Sequence, residues 1–227
     1  MTEPLALAVL GFVLGMRHAT DADHVIAVST IVSRHRNAPS ALLIGAAWGV
    51  GHSLTVLVVG GGIILFGWVI PPRVGLSLEL AVAVMLVVLG LANLGSLRHT
   101  IRRVPNGTGA APVHSPAYGG GRLYQLARPL MIGVVHGLAG SAAVALLVLA
   151  VVRKPLPSLI YLVLFGAGTI MGMMVITTAI AWPLAARPSA RFAGGVRVVA
   201  GAVSLVFGCY LAYRVGVVDG LFRAPEF

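Results

Sequence analysis

Residues 39–70 read PSALLIGAAWGVGHSLTVLVVGGGIILFGWVI, a stretch without one Asp, Glu, Lys or Arg. About 20 such residues suffice for a helix to cross the hydrocarbon of a bilayer. The rest of the chain agrees with this reading. Of 227 residues, 58% are hydrophobic and 10% charged, and the mean hydropathy is +0.98. Soluble domains run near a quarter charged, and a soluble fold of this size could not bury so much apolar surface. Working outward, apolar runs recur at 4–33 (interrupted by a polar patch at 17–24), 75–97, 127–152, 156–185 and 194–217. The sequence therefore predicts an all-α integral membrane protein of about six transmembrane helices. The runs at 39–70 and 156–185 exceed one crossing, which predicts tilt, a kink or a re-entrant piece.

The net charge is +10, from 16 Lys and Arg against 6 Asp and Glu. In a soluble protein this would suggest nucleic acid. Here the basic residues sit in short loops between apolar runs, so they read as topology signals, and nucleic acid is not an expected partner. Ten Arg fall in 34–38, 98–128 and 187–197, against Arg73, Arg153, Lys154, Arg214 and Arg223 on the other side. The positive-inside rule then places the long loop in the cytoplasm and both termini outside a cytoplasmic (inner) membrane. The amino-terminal run lacks the basic start of a secretory signal, so 4–16 is expected to belong to the mature protein. The lone Cys209 excludes a disulfide framework and any dithiol chemistry.

The two halves resemble each other. Gly15-Met16-Arg17-His18 matches Gly133-Val134-Val135-His136, residues 45–52 match 166–173, and Gly90 matches Gly208, at offsets of 118, 121 and 118. An odd number of spans per half makes such a repeat inverted. The expected organisation is one three-helix repeat over 1–97, a flexible Gly/Pro-rich cytoplasmic loop over 98–126, and a second repeat over 127–227. Transporters with this plan bind substrate near the midplane, on interrupted helices at the repeat interface.

Most ionisable residues lie at span ends. The exception is Arg17-His18-Ala19-Thr20-Asp21-Ala22-Asp23-His24, five ionisable groups in eight positions inside an apolar run. Such groups are costly in lipid and mark a functional site by default. On a regular helix His18, Asp21 and His24 share one face, Asp23 points elsewhere, and the two His stand about 9 Å apart along the axis. One ion would then need either local unwinding, which Thr20 and the short acids favour, or ligands from other helices. His52 and His136 supply candidates, each beside small residues that allow close approach. Alone, either could be a packing histidine. Together, four His with two carboxylates suit a borderline divalent transition metal, and an all-oxygen calcium or magnesium shell does not fit. The candidate metal residues are His18, Asp21, Asp23, His24, His52 and His136, supported by Arg17, Ser53 and Ser141. Arg17 is expected to neutralise Asp21 or Asp23, since it cannot ligate a cation. Glu79 reads as an interfacial residue at the outer end of the third span. Met171, Met173 and Met174 read as packing.

Residues 18–24, His-Ala-Thr-Asp-Ala-Asp-His, resemble the H-x4-D-H signature, in its HAxDADH form, of the nickel/cobalt transporter family. Gly51-His52-Ser53 resembles that family's second signature. The resemblance is best over about 5–95. It implies that His18, Asp23 and His24 are essential for metal recognition, that His52 supports them, and that Asp21 belongs to the same string. Residues 127–217 carry no acid, unlike the later spans of longer members. Residues 136–142, HGLAGSA, are similar instead to shorter six-span permeases, some associated with urease systems.

The expected function is therefore a secondary permease importing Ni2+, or Co2+, as transported substrate with no permanently bound cofactor. Efflux is the alternative; the two His of the 98–126 loop, His99 and His114, lean towards uptake, because export-type relatives often carry a His-rich loop. A haem-binding membrane redox protein is a further alternative, disfavoured by the clustered acids. A hydrolase using His136 and Ser141 lacks an HExxH or GxSxG setting. No nucleotide-binding motif supports coupling to ATP. The sequence sets no oligomeric state.

Overall fold

The computed structural model describes residues 2–33, 38–102, 126–139, 154–186 and 189–223. Among these residues there are seven helices and no strand: α1 (Thr2–His18), α2 (Ala22–Val32), α3 (Ala38–Phe66), α4 (Pro72–Arg102), α5 (Leu126–Ala139), α6 (Pro155–Ala186) and α7 (Ala190–Tyr213). A π-helical turn, Arg214–Val218, extends α7. Four helices are long and apolar enough to cross a bilayer alone. The pair α1 and α2, bent by 56° at a short break, passes the same test when taken together, which brings the candidate spans to five. The run expected at 127–152 begins as α5; its continuation from 140 lies outside the described residues, as do Ser141 and most of the 98–126 loop.

Local chemistry sets the helix ends. The Thr20 hydroxyl donates to the Arg17 carbonyl at 2.5 Å, and the Thr20 and Asp21 amides close tight turns on Arg17 and His18. A side chain that competes for backbone carbonyls in this way stops a helix. Asp21, in extended conformation, then starts α2. Gly67, at φ +66°, closes α3 in the left-handed conformation that favours glycine. Pro72 opens α4, where its missing N–H costs nothing. The Ser189 hydroxyl accepts from the Phe192 amide and caps α7.

Without a hydrophobic drive between helices in lipid, close backbone packing has to hold the bundle. Glycines provide it. α3 crosses α6 antiparallel, with Gly49 on Ile170 and Gly166 on Ser53. α4 crosses α7 antiparallel, with Gly90 on Gly201 and Leu205, and Gly208 on Ala83 and Val87. α1 runs parallel to α6: a β-carbon on Gly15 would overlap the Phe165 carbonyl, and one on Gly168 the Phe12 carbonyl. α5 runs parallel to α3 in the same manner, Gly133 against the Trp48 carbonyl and Gly51 against Leu130. These contacts pair off between the halves. Gly15 and Gly133 differ by 118, as do Phe12 and Leu130; Trp48 and Phe165 differ by 117, as do Gly51 and Gly168. The Gly90 and Gly208 contacts recur at 118.

The offset of 121 expected for the second span is thus corrected to 117, one helical turn less. The packing counterpart of His52 is Thr169, not Met173. Met173 is fully buried in the core beside Trp48 and Ala19, as a packing residue.

Candidate metal centre

The break after His18 brings together what a straight helix would hold apart. His18 ends α1 and His24 lies in the first turn of α2, and their rings meet edge to face at 4.7 Å. α3 contributes His52, with its ring 5.0 Å from that of His24 and 5.1 Å from that of His18. α5 contributes His136, 4.2 Å from His24. Both routes the sequence left open, unwinding and ligands from other helices, are used. His24, His52 and His136 are buried, and His18 is nearly so. Phe165 and Trp48 wall the cluster, at 5.3 Å from His18 and 5.8 Å from His136.

Asp23 faces into the site, contrary to the expectation from regular helix geometry. Its Oδ1 lies 3.2 Å from His24 Nδ1 and its Oδ2 3.0 Å from His136 Nε2. Asp21, which is exposed, holds His18 Nδ1 at 2.8 Å. An ionised carboxylate only accepts, so each of these contacts takes an imidazole N–H. In a neutral ring held this way the opposite nitrogen keeps its lone pair for a ligand: His18 Nε2, His24 Nε2 and His136 Nδ1. His24 Nε2, His136 Nδ1 and also His52 Nδ1 are buried without a hydrogen-bond partner. Buried polar atoms left unpaired are rare and call for an explanation. Carboxylates that orient imidazoles in this way, and raise their basicity, are a recurring feature of metal centres.

Two triads of donor atoms result, His18–His24–His52 and Asp23–His24–His136, each with its atoms within 4.8 Å of one another. His24 belongs to both. A cavity of about 210 Å³ joins the cluster to Val82 and Glu79 of α4 and Leu211 of α7.

Two supporting roles are corrected. Arg17 is exposed and forms an ion pair with neither Asp21 nor Asp23. Ser53 is buried but packs away from the cluster, donating to the Gly166 carbonyl at 3.0 Å, so it ties α3 to α6. Ser141 lies outside the described residues. Glu79, read from sequence as interfacial, is exposed and also lines the cavity. A carboxylate within a span, two turns from its end, was the available signal.

The fold and this cluster define a multi-pass helical membrane protein with a buried set of imidazoles oriented by carboxylates. Residues 4–112 match a family described as NicO, high-affinity nickel-transport protein. The chain is 40% identical over 221 residues, 96% of each chain, to a urease accessory protein, UreH, of Bacillus sp. (strain TB-90). The chain belongs to this family of nickel/cobalt transporters, which are permeases and not enzymes. No solved structure matches.

Proposed function

We propose that the chain imports Ni2+, with Co2+ as the neighbouring substrate, across the cytoplasmic membrane by secondary transport. His18, His24 and His52 would hold the ion, His136 would receive it, and Asp21 and Asp23 would orient the imidazoles. The observation that carries this reading is the sharing of His24 by two donor triads at a helix break. Nitrogen ligands at about 2.1 Å from one ion stand about 3.0–3.4 Å apart in octahedral or tetrahedral geometry. His18 Nε2 and His52 Nε2, at 3.2 Å, already have that separation. The C-terminal end of α1, negative by its dipole, faces a cation favourably.

The recurrence of contacts at 117–118, with α5 antiparallel to α1, supports two inverted repeats, 1–97 and 127–227, joined by the 98–126 loop. The 210 Å³ cavity runs from the cluster towards the face where α4 begins and α7 ends. At about 30 Å³ per water it has room for roughly seven, enough for a partly hydrated ion. By the basic-residue count this face is the outer one. On the opposite face, Asn93 Nδ2 donates to Ser33 Oγ at 3.3 Å and to the Arg197 carbonyl at 3.1 Å, and Arg197 Nε donates to the Ser33 carbonyl at 3.2 Å. Asn93 and Arg197 stand 118 residues from Leu211 and Glu79, on the inverted positions of the cavity mouth. Access from outside with the inner side tied shut is the outward-facing state of an alternating-access cycle. Inward movement of a dication gains about 4.6 kcal/mol per 100 mV, twice the single-charge value. The similarity to a urease accessory protein supports delivery of this ion for urease assembly.

The test is accumulation of radioactive Ni2+ at nanomolar concentration in cells carrying the wild-type chain or His24→Ala at equal membrane abundance. Accumulation that depends on His24 and is competed by Co2+ before Zn2+ supports the reading. Depletion of cellular Ni2+ by the wild type would overturn it in favour of efflux.

A further inference from the structure

Glu79 is the carboxylate that no reading of the family motifs claims. It lies about 10 Å along α4 from Pro72, at 1.5 Å per residue. Its cavity is the one lined by His18, Asp23, His24, His52 and His136. Val82, one turn further into the span and buried, lines the same cavity, so this face of α4 borders the path to the cluster. A carboxylate within a span is costly unless it faces water or a partner. Arg214 and Asp219 are within electrostatic reach of Glu79. Arg214 is engaged with Asp219, Nε to Oδ2 at 3.8 Å, and neither it nor any other cation described here forms a salt bridge with Glu79. Two carboxylates therefore line this cavity, Asp23 among the imidazoles and the exposed Glu79 near the start of α4. On the inverted position, 118 residues on, stands Arg197, a cation. The two ends of the bundle thus differ in sign where the repeat would make them alike.

We infer that Glu79 is the entry residue of the transport path: its carboxylate collects the hydrated divalent cation at the cavity mouth and raises its local concentration above the histidine cluster. This rests on the proposed import of Ni2+ and adds the group that selects charge before the imidazoles select the metal. A carboxylate accepts hydrogen bonds from water on the ion, so collection needs no loss of the inner hydration shell. Clefts lined by one sign of charge raise the capture rate of oppositely charged solutes, and salt weakens this.

The test uses the full chain in cells, with initial rates of radioactive Ni2+ uptake measured against concentration for wild type, Glu79→Gln and Glu79→Asp. Glu79→Gln is expected to raise the apparent KM roughly five- to ten-fold at low ionic strength, with Vmax within about two-fold and a smaller difference at high salt. Glu79→Asp, which keeps the charge, is expected to restore most of the wild-type KM. Equilibrium Ni2+ binding by purified Glu79→Gln should stay within about two-fold of wild type, since the imidazoles are intact; a purely structural role would lower abundance and binding together. An unchanged KM in Glu79→Gln, or a loss that Glu79→Asp does not repair, overturns the inference while import stands. A wild-type chain that carries no Ni2+ overturns the proposed function, and this inference with it.

Discussion

The Nε2 atoms of His18 and His52 stand 3.2 Å apart, one at the end of α1 and the other near the middle of α3. Asp21 accepts a hydrogen bond from His18 Nδ1, so in the neutral ring the Nε2 lone pair of His18 faces His52. His52 can meet it with an N–H at Nε2, or share an ion with it. The contact is thus a hydrogen bond that a cation can replace without moving either helix.

His24 is expected to be the least replaceable residue, because both donor triads need it. His24→Ala should weaken Ni2+ binding by at least about 100-fold, beyond the range for groups that act through a ligand. Titration of purified protein in detergent checks this. His136→Ala, which leaves the His18–His24–His52 triad whole, should bind Ni2+ better than His24→Ala while still transporting poorly.

The two carboxylates should differ. Asp21 orients one imidazole, and Asp23 orients two. Loss of an orienting group costs roughly 10–100-fold in affinity. Asp21→Asn is expected near the lower end and Asp23→Asn near the upper end, measured by the same titration. An Asn amide can also donate, so each variant removes the preference for the metal-ready tautomer while keeping size.

Gly15 and Gly133 let α1 and α5 touch the backbones of α6 and α3. A Val at either would force the pair apart, at about 1–3 kcal/mol or more. Lower membrane abundance and a lower unfolding temperature in detergent are the expected readouts. Gly75→Ala, where the added carbon meets nothing within 4 Å, should be neutral or slightly stabilising, since Ala favours helix over Gly.

The topology has its own check. In a Cys209→Ser background, Val69→Cys in the α3–α4 connection should react with a membrane-impermeant maleimide in intact cells. His114→Cys in the long loop should react only after the membrane is opened. The reverse pattern would turn the cavity towards the cytoplasm.

Much of this was legible in the sequence. Five ionisable groups in an apolar run marked the patch at 17–24, and lone His in uncharged runs marked His52 and His136. What the sequence withheld was direction. A regular helix turns Asp23 away from His18 and His24, but the Thr20 turn reorients α2 and swings Asp23 inward, leaving Arg17 outside. That Glu79 lines the cavity was hidden for a related reason: which face of α4 borders the cavity depends on how α4 packs on α7, not on α4 alone. The register of the second span slipped by one turn because Gly45-x-x-x-Gly49 and Gly168-x-x-x-Gly172 repeat at nearly the helical period. A four-residue shift there costs little in sequence similarity, and it is the packing of Gly15 on Phe165 with Gly133 on Trp48, and of Gly168 on Phe12 with Gly51 on Leu130, that separates the alternatives.

The most direct test of the central claim is X-ray absorption at the nickel edge on purified full-length protein loaded with one equivalent of Ni2+. The account predicts imidazole scattering from about three nitrogens at about 2.1 Å, reduced in His24→Ala. A shell of oxygen alone, or a spectrum unchanged by His24→Ala, would contradict it.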